Sequence, residues 1–302
     1  MLHVQNRLAK GLIDRAGIRW PQTTGNMAFR VFTRIPRPRN RTPNAGMPAH
    51  VKPVMLQTPS GIVATWPLSA AAPAGRKALL MHGWNSRSAH MLALARSLND
   101  AGIDVVLLDL PGHGASSGRH LHLGKGIEAV DAAWRHHGPF DAFVGHSFGG
   151  AVALNSALGS SMCIPARQPE TLVMLAAPNS MPAFFRGFGR MIGLPAPAQA
   201  AMERKVLTIL GRSLDLIVSS DQLRDYHHPV LVVHDMDDTD VLYTDALRMA
   251  RAGGHVELLT TSGLGHRRIL KNAEVHAAVC DRILSGALAH LPRQPVPIGH
   301  CA

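Results

Sequence analysis

The residues best suited to chemistry lie in Gly145-His146-Ser147-Phe148-Gly149-Gly150. A serine with glycine two positions to either side suits a turn so tight that flanking side chains would clash. Upstream runs Phe140-Asp141-Ala142-Phe143-Val144, short, apolar and β-prone. Downstream, Ala151 to Leu158 is small and helix-compatible and ends at Gly159. At such a strand-to-helix joint the Ser147 Oγ stands clear of the sheet. The Phe148 N–H then lies beside it, at the positive end of the helix. The chemistry would be nucleophilic attack. In a chain with 28 glycines the motif alone is a weak signal, and the strand-then-helix context is what strengthens it.

A serine hydroxyl is a poor nucleophile without a base in hydrogen-bond reach, itself oriented by an acid. The elements that must position these groups read as a hairpin followed by alternating strands and helices. Val54–Gln57 and Ile62–Trp66 flank Thr58-Pro59-Ser60-Gly61. Further strands are expected near Ala78–Met81, Val105–Leu108, Ala142–Val144, Leu172–Leu175, Val230–Val233 and Val256–Leu259. Helices are expected near 88–100, 125–136, after the elbow, and 272–284. Near-continuous apolar strands alternating with helices imply an α/β, mostly parallel sheet covered on both faces. The stretch from about 178 to 229 is too long for a simple crossover. It carries Met181, Phe184, Phe185, Phe188, Met191 and Ile192, then a helix from about 199 to 210, and reads as a small helical cap. Its Phe and Met side chains either line an apolar pocket or pack the cap onto the body.

In a parallel sheet the strands end on one side, so the base and acid should follow later strands. Two loops qualify. The one after Val256–Leu259 ends in Gly263-Leu264-Gly265-His266, which makes His266 the candidate base. The other is His234-Asp235-Met236-Asp237-Asp238-Thr239-Asp240-Val241, with four aspartates. Four carboxylates cannot all crowd one imidazole, because like charges raise one another's pKa.

Together these residues resemble the α/β-hydrolase superfamily over about 54–290. The shared motifs are His82-Gly83-Trp84, Asp109-Leu110-Pro111-Gly112-His113-Gly114, the serine elbow, the aspartate loop and Gly265-His266. The resemblance implies the chain order Ser…Asp…His. Relatives commonly carry histidine-glycine-x-x-aspartate at the acid loop. Here His234 matches the histidine, Asp235 stands in place of the glycine, and Asp238 falls on the acid position. Val241 matches a hydrophobic residue three places on. Asp238 is therefore the implied acid, with Asp240 second and Asp237 third. The resemblance also implies an oxyanion hole from the Phe148 and Trp84 N–H groups, and a structural role for the Asp109–Gly114 turn. The activity implied is hydrolysis of an ester or thioester of a small, largely apolar substrate by Ser147, Asp238 and His266, without cofactor or metal. Acyl transfer, carbon–carbon bond hydrolysis and slow-turnover ligand reception use the same residues. Serine at 147 argues against haloalkane dehalogenases and epoxide hydrolases, whose relatives carry aspartate there.

The formal charge of +11 is local. Residues 1–53 hold ten Lys/Arg against one acid, Asp14, which leaves about +2 for the rest. Residues 1–20 could form a short basic helix, whereas Arg34 to Pro53 is proline-rich and extended. Lacking an interleaved aromatic ladder, this basic arm reads as a solvated strap more readily than as a docking arm for lipid or nucleic acid. The expected organisation is an arm over 1–53, a body over 54–290 and a tail over 291–302. Cys163, Cys280 and Cys301 form neither a zinc pattern nor a disulfide framework, which suits a cytoplasmic location. No run approaches a membrane span, and the N-terminus lacks a signal-peptide core. His120, His122, His136 and His137 read as solvated histidines, and Gly124-Lys125-Gly126 as no phosphate loop.

Overall fold

A computed structural model describes residues 2–36 and 45–286, with backbone only for residues 2–9. In chain order the helices are α1 (Leu2–Arg19), α2 (Pro21–Phe32), α3 (Leu92–Asp100), α4 (Leu123–His137), α5 (Phe148–Ala157), α6 (Met181–Ile192), α7 (Ala196–Leu210), α8 (Ser219–Gln222), α9 (Tyr243–Ala250), α10 (Gly265–Arg268) and α11 (Ala273–Ser285). The strands are β1 (Val54–Thr58), β2 (Gly61–Leu68), β3 (Arg76–Met81), β4 (Ile103–Asp109), β5 (Ala142–His146), β6 (Thr171–Leu175), β7 (Val230–Asp235) and β8 (Val256–Thr261).

They form one eight-stranded sheet in the order β1-β2-β4-β3-β5-β6-β7-β8. The β1–β2 and β2–β4 pairs are antiparallel, and every later pair is parallel. Alternate residues of the central strands serve opposite faces, as the two-residue period of a strand requires. Leu79, Met81, Phe143, Leu172 and Met174 pack with α4 and α5. Leu80, Val144, Val173, Leu175 and Val233 pack with α3 and α11. Both faces are thus covered, and the near-continuous apolar strands are explained. All ten residues of α5 are buried, so this helix runs through the core directly behind the elbow.

The cap holds more helices than the one expected near 199–210. Between β6 and β7 the chain forms α6, α7 and α8. Residues 21–32, for which the sequence suggested no element, form α2, which packs against α7. A Cβ on Gly25 would lie 2.5 Å from the Ala198 carbonyl oxygen and 2.7 Å from the Met202 nitrogen, so only glycine permits this approach. The start of the proline-rich stretch is pinned rather than solvated. Ile35 is buried, its N–H donates to the Arg119 carbonyl (2.8 Å), and the Leu121 N–H donates to the Thr33 carbonyl (2.9 Å). Residues 37–44 of the strap and the tail over 291–302 lie outside the described residues. Cys163 is free and exposed and Cys280 free and buried, whereas Cys301 lies outside the described residues. No helix among the described residues is long and apolar enough to cross a membrane.

Candidate active site

β5 delivers the chain into a sharp turn at Ser147, whose φ is 53° and ψ −124°, before α5 begins. A positive φ at a non-glycine residue costs on the order of 1–3 kcal/mol and persists only when neighbours over-determine it. They do so here. The Ser147 N–H donates to the Leu175 carbonyl (2.8 Å), and its own carbonyl accepts from Gly150 N–H (2.9 Å). A Cβ on Gly149 would lie 2.7 Å from the His82 carbonyl oxygen, and one on Gly145 would lie 2.5 Å from Gly150 Cα. Both glycines are therefore demanded by close backbone approach.

The loop after β3 faces Ser147. A Cβ on Gly83 would come within 2.9 Å of Ser147 Cβ, so this loop can approach the serine only as glycine. His82 holds it there. Leu110 N–H donates to His82 Nε2 (3.0 Å), and Nδ1–H donates to the Gly83 carbonyl (2.7 Å). Complete burial pushes the His82 pKa down to about 3, so the ring stays neutral and keeps this tautomer. Asn85 N–H donates to His113 Nε2 (3.1 Å), which secures the next turn. Asp109 accepts from the N–H groups of Ser88 and Ala115 and from the Trp66 indole at 2.8–3.0 Å, as a structural role for the Asp109–Gly114 turn requires.

At the far side, His266 is the second residue of the short α10. Its Nδ1–H donates to Asp238 Oδ2 at 2.7 Å, leaving Nε2 as the free ring nitrogen. Asp238 Oδ1 accepts from Asp240 N–H and Val241 N–H, each at 2.9 Å. Burial alone would raise the Asp238 pKa, but hydrogen bonds from His234, His266 and Val241 N–H outweigh it. They hold the carboxyl well below the usual range. Asp240 contributes its backbone N–H to this nest and lines the cavity wall, whereas the Asp237 carboxylate accepts Gly263 N–H (2.7 Å). Neither lies on His266.

Two residues that the sequence left without a role hold the histidine in place. Asp235, fully buried, accepts from Thr261 Oγ1 (2.7 Å), Leu264 N–H (3.0 Å), Gly265 N–H (2.9 Å) and Asp237 N–H (3.0 Å). It fastens the turn immediately before His266 to the acid loop. The signal was the departure from glycine at that position. His146 donates Nε2–H to the His266 carbonyl (2.8 Å), and the two ring centroids lie 4.8 Å apart. Burial depresses the His146 pKa to about 4.

Ser147, His266, Trp84 and Phe148 all line one cavity of about 670 Å³. α6 contributes Met181, Phe184 and Phe185 to its wall, while Phe188 and Ile192 pack against the core and Met191 is exposed. This sorts the cap residues that the sequence could not. α2 also contributes Phe29 and Phe32. The Phe32 ring lies 4.7 Å from Phe185 and 5.0 Å from Phe188, with Trp84 at 6.4 Å. His122 is a correction. It is not a solvated histidine but the N-cap of α4, its Nδ1 accepting Lys125 N–H (3.3 Å) in the cavity wall. Its extended backbone there aims the ring back at the helix start. His137 likewise pairs with Thr65 (2.8 Å). Among the described residues no cluster of three His, Cys, Asp or Glu could hold a metal ion.

Comparison with known proteins agrees with this architecture. The chain belongs to the α/β hydrolase family, whose family model matches residues 78–279. Among solved structures it is similar to Est1E from Butyrivibrio proteoclasticus, with a TM-score of 0.58 at 18% identity over 78% of this chain and 98% of the other. An esterase of Pyrococcus furiosus gives 0.57 at 19% identity over 83% and 96%. The esterase domain of a Rhodothermus marinus protein gives 0.53 at 22% identity over 78% and 97%. At these identities the likeness is one of fold. No curated protein matches the chain.

Proposed function

We propose that this protein is a serine hydrolase that cleaves carboxylic esters or thioesters of small, largely apolar substrates through an acyl-enzyme. The observation that carries the reading is the 2.7 Å contact between Asp238 and Nδ1 of His266, which lines an apolar cavity together with Ser147. The esterases among the fold neighbours support it. Ser147 Oγ attacks the substrate carbonyl and passes its proton to His266 Nε2. Asp238, held ionised by its hydrogen bonds, fixes the imidazole tautomer and stabilises the imidazolium. The developing oxyanion meets the N–H groups of Phe148 and Trp84, and losing one such donor typically costs about 3 kcal/mol. His266 returns the proton to the leaving group, and water releases the acyl group with His266 as base.

The test is hydrolysis of p-nitrophenyl esters of rising acyl length by wild type and Ser147→Ala, with fluorophosphonate labelling alongside. The expected result is turnover and labelling in the wild type, with kcat lower by about 10⁴-fold or more in the variant. A folded wild type that neither turns over any ester nor takes the fluorophosphonate would overturn the reading.

A further inference from the structure

The two faces of α2 differ in a way that the cavity does not explain. Gly25, Ala28 and Phe29 are buried toward α7 and the cavity. Thr24, Met27 and Val31 follow one another at intervals of three and four, which aligns them on another face of the helix, and Trp20 stands at its N-cap. On that face Met27 and Val31 are 65% and 58% exposed, and Trp20 at the helix start is 59% exposed. α1 adds Leu12 and Ile18, also exposed. Such a run of large apolar side chains on one short segment is not ordinary surface.

The same segment is basic. Lys10, Arg15, Arg19, Arg30 and Arg34 all lie in residues 10–34, where Asp14 is the one acid. The Arg19 guanidinium sits 5.7 Å from the Trp20 ring centroid, so cation and aromatic are presented together. We propose that α1 and α2 form a docking face for an anionic lipid surface. The apolar stripe would enter the acyl–headgroup boundary, and the arginines would meet the headgroups. A tryptophan at the edge of such a stripe sits where that side chain is favoured, at a lipid–water boundary. Charge selects this occupant. A second copy of the chain would bring two strongly basic arms together, and nucleic acid would use the arginines while leaving the apolar stripe in water.

The experiment is co-sedimentation of the full chain with vesicles of phosphatidylcholine alone or mixed with phosphatidylglycerol. It is independent of catalysis, so it stands or falls apart from the hydrolase reading. Wild type is expected to bind the anionic vesicles and to be released as salt rises. Arg15→Gln/Arg19→Gln/Arg30→Gln should weaken binding on the order of 100-fold, taking about 1 kcal/mol for each cation. Trp20→Ser/Met27→Ser/Val31→Ser should weaken it at least about tenfold through lost apolar burial. Trp20→Ser alone serves if the triple variant fails to fold, as judged by thermal unfolding. Absence of binding to anionic vesicles, or equal binding to neutral ones, overturns the proposal. So does a wild-type dimer that the apolar variant converts to monomer, or duplex DNA binding that needs the arginines but not the stripe.

Discussion

Beside one end of the cavity Asp235 binds the N–H groups of the turn before His266, and Asp238, itself fixed by two backbone N–H groups of its own loop, binds the His266 ring, all through short, directional hydrogen bonds. At the other, Phe29, Phe32 and Phe185, with Phe188 behind them, meet with ring centroids 4.7–6.2 Å apart. The first arrangement weakens steeply with a small displacement, because hydrogen bonds depend on angle and length. The second tolerates exchange of one apolar shape for another, at a cost set by volume. The contrast teaches that the corner is built to hold one atom in place, while the roof is built to enclose a volume. Substitutions should therefore damage rate at the corner and shift preference at the roof.

The largest effect is expected from Asp238→Asn, which keeps the shape but loses the tautomer control of His266. The kcat should fall by about 10³–10⁴-fold with little change in KM. An equal loss in Asp240→Asn would break the distinction between these two carboxylates. Asp235→Ala comes next. It strands three N–H groups and a hydroxyl, so urea unfolding should register a loss of about 3 kcal/mol, and kcat should drop by about 100-fold. A variant with unchanged kcat would mean that the His266 turn needs no latch.

The third prediction concerns acid. Unfolded chains take up protons on histidine below about pH 6.5, whereas folded His82 and His146 refuse them until about 3 and 4. Stability is therefore full above about 6.5 and falls as pH drops, by roughly 2 kcal/mol for each ring at about pH 5. A thermal midpoint that stayed flat from neutrality to that pH would contradict the buried neutral tautomers. The smallest effect belongs to the roof. Phe32→Ala should cost about 1–2 kcal/mol of stability, change kcat/KM on short esters by less than about tenfold, and move the preferred acyl chain to greater length. If it instead abolished turnover of every ester, the roof would belong with the corner.

The same contrast explains what could be read without coordinates. The elbow was legible because glycines at 145 and 149 bracket Ser147 between a strand and a helix, all within one short stretch. The sheet was legible because its strands are short apolar runs. Asp238 required the family pattern, since nothing in the loop's own composition separates it from Asp237 or Asp240. α2 was not legible at all. Its Thr-Thr-Gly-Asn stretch has poor helix propensity, and glycine inside a helix costs about 1 kcal/mol relative to alanine. Packing against α7, far along the chain, overrides that preference. His122 was misread for a related reason, because its cap partner is a backbone N–H that no pattern of side chains announces.

The fit of Gly25 against Ala198 also sets an order of events during synthesis. The ribosome makes α2 early, and its partner helix follows roughly 170 residues later, some 10–35 s at ~5–20 residues per second. Until α6 is made, Phe29 and Phe32 lack Phe185 and Phe188 and belong to a growing chain without its roof. The cavity can close only after the elbow and the first six strands have left the ribosome.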